Sequence, residues 1–161
     1  MAHESVAPLI EIYKLNTQLF QRTLDDISEQ DIKRRPADGG NSLLFVAGHV
    51  ASSRFTVSRI AGLREESPWG QLFGRGTSYD ESTDFPSITD IKGTWADISD
   101  KLIRRLTELA EANLKATPPF DVPVGDKTVL GAIAFFALHD SYHIGQFAYI
   151  RRLLGYGQLV G

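Results

Sequence analysis

The segment at residues 128–154, TVLGAIAFFALHDSYHIGQFAYIRRLL, decides the fold of this chain. It contains no proline, and Gly155 follows it as a residue that tolerates the left-handed conformation at a helix end. Within it His139 and His143 are four residues apart, a spacing that places both imidazoles on one face of a helix. Gln146 follows three residues later on the same face, which is also the apolar face. The segment therefore predicts a long helix with a polar site turned toward the core.

Three further segments show apolar residues at three- and four-residue spacing, at about residues 5–28, 42–61 and 87–114. Asn41 or Ser42 is a plausible N-cap for the second of them, and Gly62 is a natural C-terminal stop. Four such helices without a convincing set of strands predict an all-α fold, a four-helix bundle. The length of 161 residues suits a single domain spanning residues 1–161.

Two connections and one glycine leave alternatives open. The stretch at residues 63–87 is long for a compact domain, so it is either functional or a surface connection along the bundle. Residues 117–127, TPPFDVPVGDK, alternate apolar and polar positions and suggest a short hairpin. Gly48 lies inside the second predicted helix, where it either permits close approach of a neighbouring element or merely weakens the helix.

Composition excludes several classes of function. There are no cysteines, which rules out disulfides, thiolate metal sites and a cysteine nucleophile of the chain's own. The formal charge of −3 with scattered basic residues argues against a nucleic-acid partner. No apolar run approaches the ~18 residues of a membrane span, and the N-terminus lacks the pattern of a secretory signal. We therefore expect a cytoplasmic protein without a membrane or nucleic-acid partner.

The histidines carry the functional signal. Of the four in the chain, His3 lies near the terminus, whereas His49 lies in the second predicted helix and faces inward among small residues. If His49 meets His139 and His143, the three imidazoles form a metal site with open coordination positions. Zinc, nickel, iron and copper all suit imidazole ligands. The alternative is that the three are core histidines satisfied by one another or by buried acceptors.

The run HDSYHIGQ at residues 139–146, continuing to RRLLG at 151–155, resembles the last helix of the DinB-like (DinB/YfiT) family of metal-dependent enzymes. The segment at residues 41–49 resembles that family's second helix, and chain length and helix order agree over nearly the whole sequence. The resemblance implies an up-down-down-up bundle whose metal ligands are His49, His139 and His143. It further implies a divalent ion, zinc or nickel first, and commonly a homodimer.

Characterised members of the family are thiol transferases or isomerases that use low-molecular-weight thiols, and many other members have no known reaction. The resemblance therefore favours a thiol S-transferase acting on a small-molecule substrate, while the residues themselves equally suit a hydrolase. The alternative function is a non-catalytic, stress-related metal-binding or interaction protein. Gln146 is the candidate catalytic residue, and the equal alternative is that it is a core amide bonded to a backbone group.

Other polar residues near the histidines have less specific roles. Asp140 is expected to point away from His139, at the surface or in a contact between helices. Asn16 either lines the pocket or is a buried amide bonded to a backbone carbonyl. Tyr142 either contacts substrate or packs between helices or subunits. Arg151 is expected to lie beyond the metal and to interact with the carbonyl groups at the C-terminal end of a helix. The more specific alternative is that it binds an acidic thiol.

Overall fold

The computed structural model describes residues 3–36, 40–74 and 76–158. Among these residues every regular element is a helix, which confirms the all-α prediction. Four helices are long and two have five residues each. They are α1 (Ala7–Leu24), α2 (Glu29–Lys33), α3 (Leu43–Ile60), α4 (Ile88–Glu108), α5 (Glu111–Lys115) and α6 (Val129–Leu153).

Local side-chain chemistry fixes where the long helices begin. The Ser42 and Ser87 hydroxyls each accept a hydrogen bond from the backbone N–H three residues later, as does Thr128 before α6. Each bond satisfies an N–H group that the first helical turn leaves without a partner. Gly62 and Gly155 follow the ends of α3 and α6 with φ of 91° and 89°, a conformation that favours glycine. The predicted ends of these two helices are therefore close to the observed ones.

The predicted first and third helices are too long. The chain leaves α1 at Asp25, which is extended, and Asp26 has φ of 60°, so the following residues form the separate α2. Leu109 is extended at the end of α4, and the Ala110 N–H then donates to the Asn113 side chain to start α5. Both breaks come from local backbone bonding that apolar spacing does not reveal.

The predicted hairpin at residues 117–127 does not form, since the described residues contain no strand. Three prolines in the stretch lack the N–H that a strand ladder needs. The Lys127 ammonium instead donates to the Asp121 carboxylate at 2.6 Å and to the Val122 carbonyl at 2.9 Å. The connection is therefore a folded loop that closes one end of the bundle.

Contacts between helices give the topology. The Tyr13 hydroxyl donates to the Ile133 carbonyl near the start of both α1 and α6, and Arg151 donates to the Asp25 carbonyl near their ends. These two helices therefore run in the same direction. Helix α3 contacts α6 in the opposite direction and α4 in the same direction as itself. The order is up-down-down-up, with α1 and α3 diagonally opposite.

The interior contains two apolar clusters separated by a polar layer. One cluster surrounds the start of α1 and α6 and the end of α3 and α4, and the other surrounds their opposite ends. Between them lies Arg54, fully buried, with its guanidinium 3.9 Å from the Trp95 ring and 4.7 Å from the Tyr13 ring. None of the described helices has the length and apolar character that crossing a bilayer requires.

Candidate metal centre

The three sequence-predicted histidines meet between α3 and α6. The Nε2 atoms of His49 and His143 each lie 3.2 Å from Nε2 of His139. One ring nitrogen of each residue falls within 4.8 Å of the other two, and all three side chains are partly buried. The fourth histidine, His3, bonds to Ser5 at 2.8 Å and has no part in the cluster.

Outer bonds orient two of the rings. Nδ1 of His49 lies 2.8 Å from the Phe73 carbonyl oxygen, which can only accept, so this nitrogen carries the proton. Nδ1 of His143 lies 2.6 Å from Oε1 of Gln146, and the Gln146 amide donates in turn toward the Tyr142 hydroxyl at 3.4 Å. In both rings Nε2 is therefore the nitrogen with the lone pair, directed at the centre of the cluster.

The long connection after α3 supplies part of this arrangement. A Cβ atom at Gly48 would overlap the ring of Phe73, which is 1% exposed. Only glycine lets Phe73 pack directly against α3, and this packing brings its carbonyl to His49. The close-approach interpretation of Gly48 is correct, and the connection supplies the carbonyl that His49 contacts.

Both oriented histidines are neutral near pH 7. Burial lowers the pKa of His49 below its usual value, and the proximity of His139 lowers it further. Burial and the neighbouring His139 lower the pKa of His143 to about 4. A neutral imidazole is the form that binds metal, so neither ring has to lose a proton first.

The donor set fits a divalent cation. Two lone pairs converge within 3.2 Å of the third imidazole, and at most one of them can accept a proton from it. The other is left facing a nitrogen without a hydrogen bond, in a partly buried position where such an arrangement is unfavourable. A cation among the three Nε2 atoms removes that conflict, and three histidines leave coordination positions for other molecules.

Asp140 and Arg54 form an ion pair that sequence reasoning placed only in part. The Asp140 carboxylate is 1% exposed and accepts from Nε of Arg54 at 2.7 Å. Of the two placements expected for Asp140, the contact between helices is correct and the surface is not. Its Oδ1 lies 3.7 Å from Nδ1 of His139, so the side chain does not point away from that ring. Arg54 was not singled out, although a single arginine among the apolar and small residues of α3 is a signal of a buried partner.

The remaining predicted residues lie around the cluster rather than in it. The Asn16 amide donates to the Ala137 carbonyl at 3.1 Å and lines neither cavity described below, so the buried-amide interpretation is correct. Tyr142 is 63% exposed and does not pack between helices of the described chain. Arg151 is buried and donates to carbonyls of Thr23 and Asp25 at the end of α1.

Two cavities reach the histidines from different sides. The larger has a volume of about 740 Å³ and includes His49 and His139 in its wall. The smaller has a volume of about 450 Å³ and includes His49, His143 and Gln146. Both volumes fall in the range of small-molecule sites. His49 and Gly74 belong to both walls, so the cavities adjoin at the histidine cluster.

Comparison with known proteins agrees with this fold. YfiT from Bacillus subtilis, described as a probable metal-dependent hydrolase with an unusual four-helix bundle topology, aligns with a TM-score of 0.70 at 13% identity, over 98% of this chain and 91% of YfiT. A conserved protein from Enterococcus faecalis aligns with a TM-score of 0.62 at 18% identity, over 96% of this chain and 99% of its own. None of the curated proteins compared with the chain matches it. A model of the DinB superfamily matches residues 12–147, and the chain therefore belongs to the DinB superfamily.

Proposed function

We propose that this protein is a metal-dependent enzyme that transfers a low-molecular-weight thiol to a small electrophile. His49, His139 and His143 are the proposed ligands of one divalent ion, zinc or nickel. The observation that carries the proposal is the convergence of three imidazoles at the point where two cavities meet. A structural metal site is normally closed by four protein ligands, whereas this one is bordered by open volume.

Two adjoining cavities favour transfer between two organic molecules. A hydrolase needs one organic substrate and water, for which one cavity is enough. The chain has no cysteine, so any sulfur nucleophile has to come from a second molecule. A divalent ion held by the histidines would supply a Lewis acid that favours the deprotonated form of a bound thiol or water. Gln146 lines the smaller cavity and holds His143 through its Nδ1, which suits a residue that acts beside the reacting thiol.

Hydrolysis is the second candidate, because YfiT is described as a probable metal-dependent hydrolase. A non-catalytic, stress-related metal-binding protein is a third, and the open cavities speak against it. These three functions differ in what they consume, so they can be separated by experiment.

The first experiment is elemental mass spectrometry of protein purified without a histidine tag. We expect about one divalent ion per chain in the wild type, the number that one three-histidine site holds. His49→Ala, His139→Ala and His143→Ala should each lose it, while His3→Ala is the matched control and should keep it. Retention of the ion in the cluster variants would contradict the ligand assignment.

The second experiment compares reactions of the metal-loaded protein. A panel of small thiols is incubated with an alkyl halide fluorophore, and a panel of esters and amides is incubated without thiol. Turnover that requires both a thiol and the cluster histidines supports transfer. Turnover without thiol supports hydrolysis, and absence of both leaves the non-catalytic function.

A further inference from the structure

An exposed arginine in the wall of the larger cavity, Arg59, has no hydrogen-bond or ion-pair partner among the described residues. Arg59 and His49 of α3 both line this cavity and are ten residues apart, which corresponds to about 15 Å of helix. Its guanidinium lies 5.7 Å from the Phe120 ring, and its side chain makes no hydrogen bond or ion pair with the described residues. Arg54 and Arg151, by contrast, donate to acceptors inside the bundle, Arg54 to the Asp140 carboxylate and Arg151 to the Asp25 carbonyl.

Apolar side chains of α6 and of the preceding loop form one part of the cavity wall, and Ser52, Ser53 and Thr56 of α3 add hydroxyl groups. Phe135 and Phe136 from α6 and Val122 from the preceding loop face the same cavity. Of the two acidic residues in the wall, Asp121 is bound to Lys127, and Glu66 is an exposed residue of the connection after α3. Among the described residues of the wall, one unpaired cation beside an exposed carboxylate suits a ligand with a single negative charge better than a dianion.

We propose that the larger cavity binds an organic monocarboxylate, with its carboxylate at Arg59 and its apolar body against the phenylalanines. A guanidinium binds a planar carboxylate through two parallel hydrogen bonds, which fixes orientation as well as affinity. The opposite end of such a molecule, ~10–15 Å away along α3, reaches the histidines. This assignment rests on the proposed function: the electrophile occupies the larger cavity and the thiol occupies the smaller one.

The test uses metal-free protein, so that the probe carboxylate has no ion to bind. Binding of 4-phenylbutyrate and of its neutral analogue 4-phenylbutanamide is followed by NMR titration. Arg59→Gln should weaken binding of the carboxylate about tenfold, as expected for loss of a charge-assisted bond, and leave the amide unchanged. Arg64→Gln, an exposed arginine outside the cavity wall, is the matched control and should change neither.

Two results would overturn the assignment. Equal weakening of acid and amide in Arg59→Gln would show that the substitution alters the cavity rather than a charge contact. Unchanged binding of the acid would show that Arg59 does not hold the carboxylate. Because the titration needs no metal and no turnover, its failure is distinguishable from a failure of the proposed function, which the metal analysis tests.

A separate observation concerns the third imidazole. Nδ1 of His139 and Oδ1 of Asp140 are both buried without a hydrogen-bond partner among the described residues, and they lie 3.7 Å apart. The other carboxylate oxygen of Asp140 is held by Arg54 at 2.7 Å. The outer nitrogens of His49 and His143 already have acceptors, so His139 is the one ring of the three that lacks one.

We infer that Asp140 is a positioning residue for His139, and that Arg54 holds Asp140 in place for this role. A proton on Nδ1 of His139 would point its Nε2 lone pair at the cluster, and Asp140 Oδ1 is the acceptor that stabilises this tautomer. A small rotation of either side chain shortens 3.7 Å to a hydrogen bond.

The direct test is NMR of the imidazole nitrogens in zinc-loaded wild-type protein, which requires no variant to fold. We expect a protonated Nδ1 of His139 hydrogen-bonded to a carboxylate. Asp140→Asn should then raise the Kd for zinc by 10–100-fold, measured by competition with a chromogenic chelator. Ser99→Ala removes another hydrogen-bond partner of Arg54 in the same layer and is the control that should leave the Kd unchanged. A wild-type His139 protonated on Nε2, or an unchanged Kd in Asp140→Asn, would refute the role.

Discussion

Two polar clusters lie next to each other between α3 and α6, and they differ in whether their polar groups find partners within the protein. The first, Arg54 with Asp140, faces the centre of the bundle, and its opposite charges are paired at 2.7 Å and almost fully buried. The second, His49 with His139 and His143, faces the cavities, and its lone pairs point at one another. In the first, which we call the closed cluster, the protein supplies both charges of the pair. In the second, the open cluster, the converging lone pairs lack a cation among the described residues.

The first cluster contains residues that stabilise the arrangement of the helices, whereas the second contains residues that the helices hold in position to bind a ligand. The closed cluster joins α1, α3, α4 and α6 through one arginine, so it sets the relative height of the four helices. Such a cluster stabilises the native arrangement mainly because every alternative leaves a buried charge unpaired. The open cluster joins only α3 and α6 and borders both cavities, as expected of a ligand-binding site.

The largest effect we predict is on the closed cluster. Arg54→Met should lower the free energy of unfolding by about 3–5 kcal/mol, because it leaves the Asp140 carboxylate buried without its partner. Urea denaturation followed by circular dichroism measures this loss. The double variant Arg54→Met, Asp140→Leu removes both charges and should recover most of the stability. A double variant as unstable as the single one would show that packing, and not charge pairing, dominates this layer.

The next effect comes from completing the open cluster. Zinc at a free concentration of 100 times its Kd should stabilise the wild type by about 2.7 kcal/mol, through binding to the native state alone. Chemical denaturation with and without the metal measures the difference. His139→Ala should lose this stabilisation, and His3→Ala should retain it. If the metal stabilised both variants equally, the ion would be binding elsewhere.

The difference between the clusters also explains what could be predicted from sequence. The His139 and His143 pair was readable because both residues lie on one helix, where spacing fixes their relation. Their meeting with His49 depended on helix order and direction, which the family resemblance implied and which the contact between α3 and α6 at the histidines confirms.

The contact between Arg54 and Asp140 in the closed cluster could not be predicted from spacing in this way. Asp140 follows His139 directly, and spacing alone turns it away from the site without saying what it meets. Its partner Arg54 is 86 positions away in sequence, on another helix. The Phe73 carbonyl is a backbone group in a connection without a periodic pattern, and only Gly48 hinted at its approach. Long-range partners of this kind are set by packing rather than by local sequence.

A smaller effect tests how the connection after α3 supports the open cluster. Gly48→Ala should destabilise the protein by about 1–3 kcal/mol, because its methyl group displaces the Phe73 ring from α3. The displaced carbonyl should also release His49 and weaken metal binding, measured by chelator competition. Ala47→Gly, at the neighbouring buried position of the same helix, is the control for helix propensity and should leave metal binding unchanged. Unaltered metal affinity in Gly48→Ala would show that the Phe73 bond is dispensable.

The smallest effect asks whether the two clusters are energetically separate. Tyr13→Phe keeps the ring beside Arg54 and removes only the hydroxyl that donates to the Ile133 carbonyl at 2.8 Å. Loss of this single hydrogen bond should reduce the free energy of unfolding by about 1 kcal/mol in urea denaturation. The Kd for zinc should not change, since Arg54 and Asp140 keep their own bond. A weaker Kd would mean that strain in the closed cluster passes through Asp140 to His139, so that the polar layer tunes the metal centre as well as the fold.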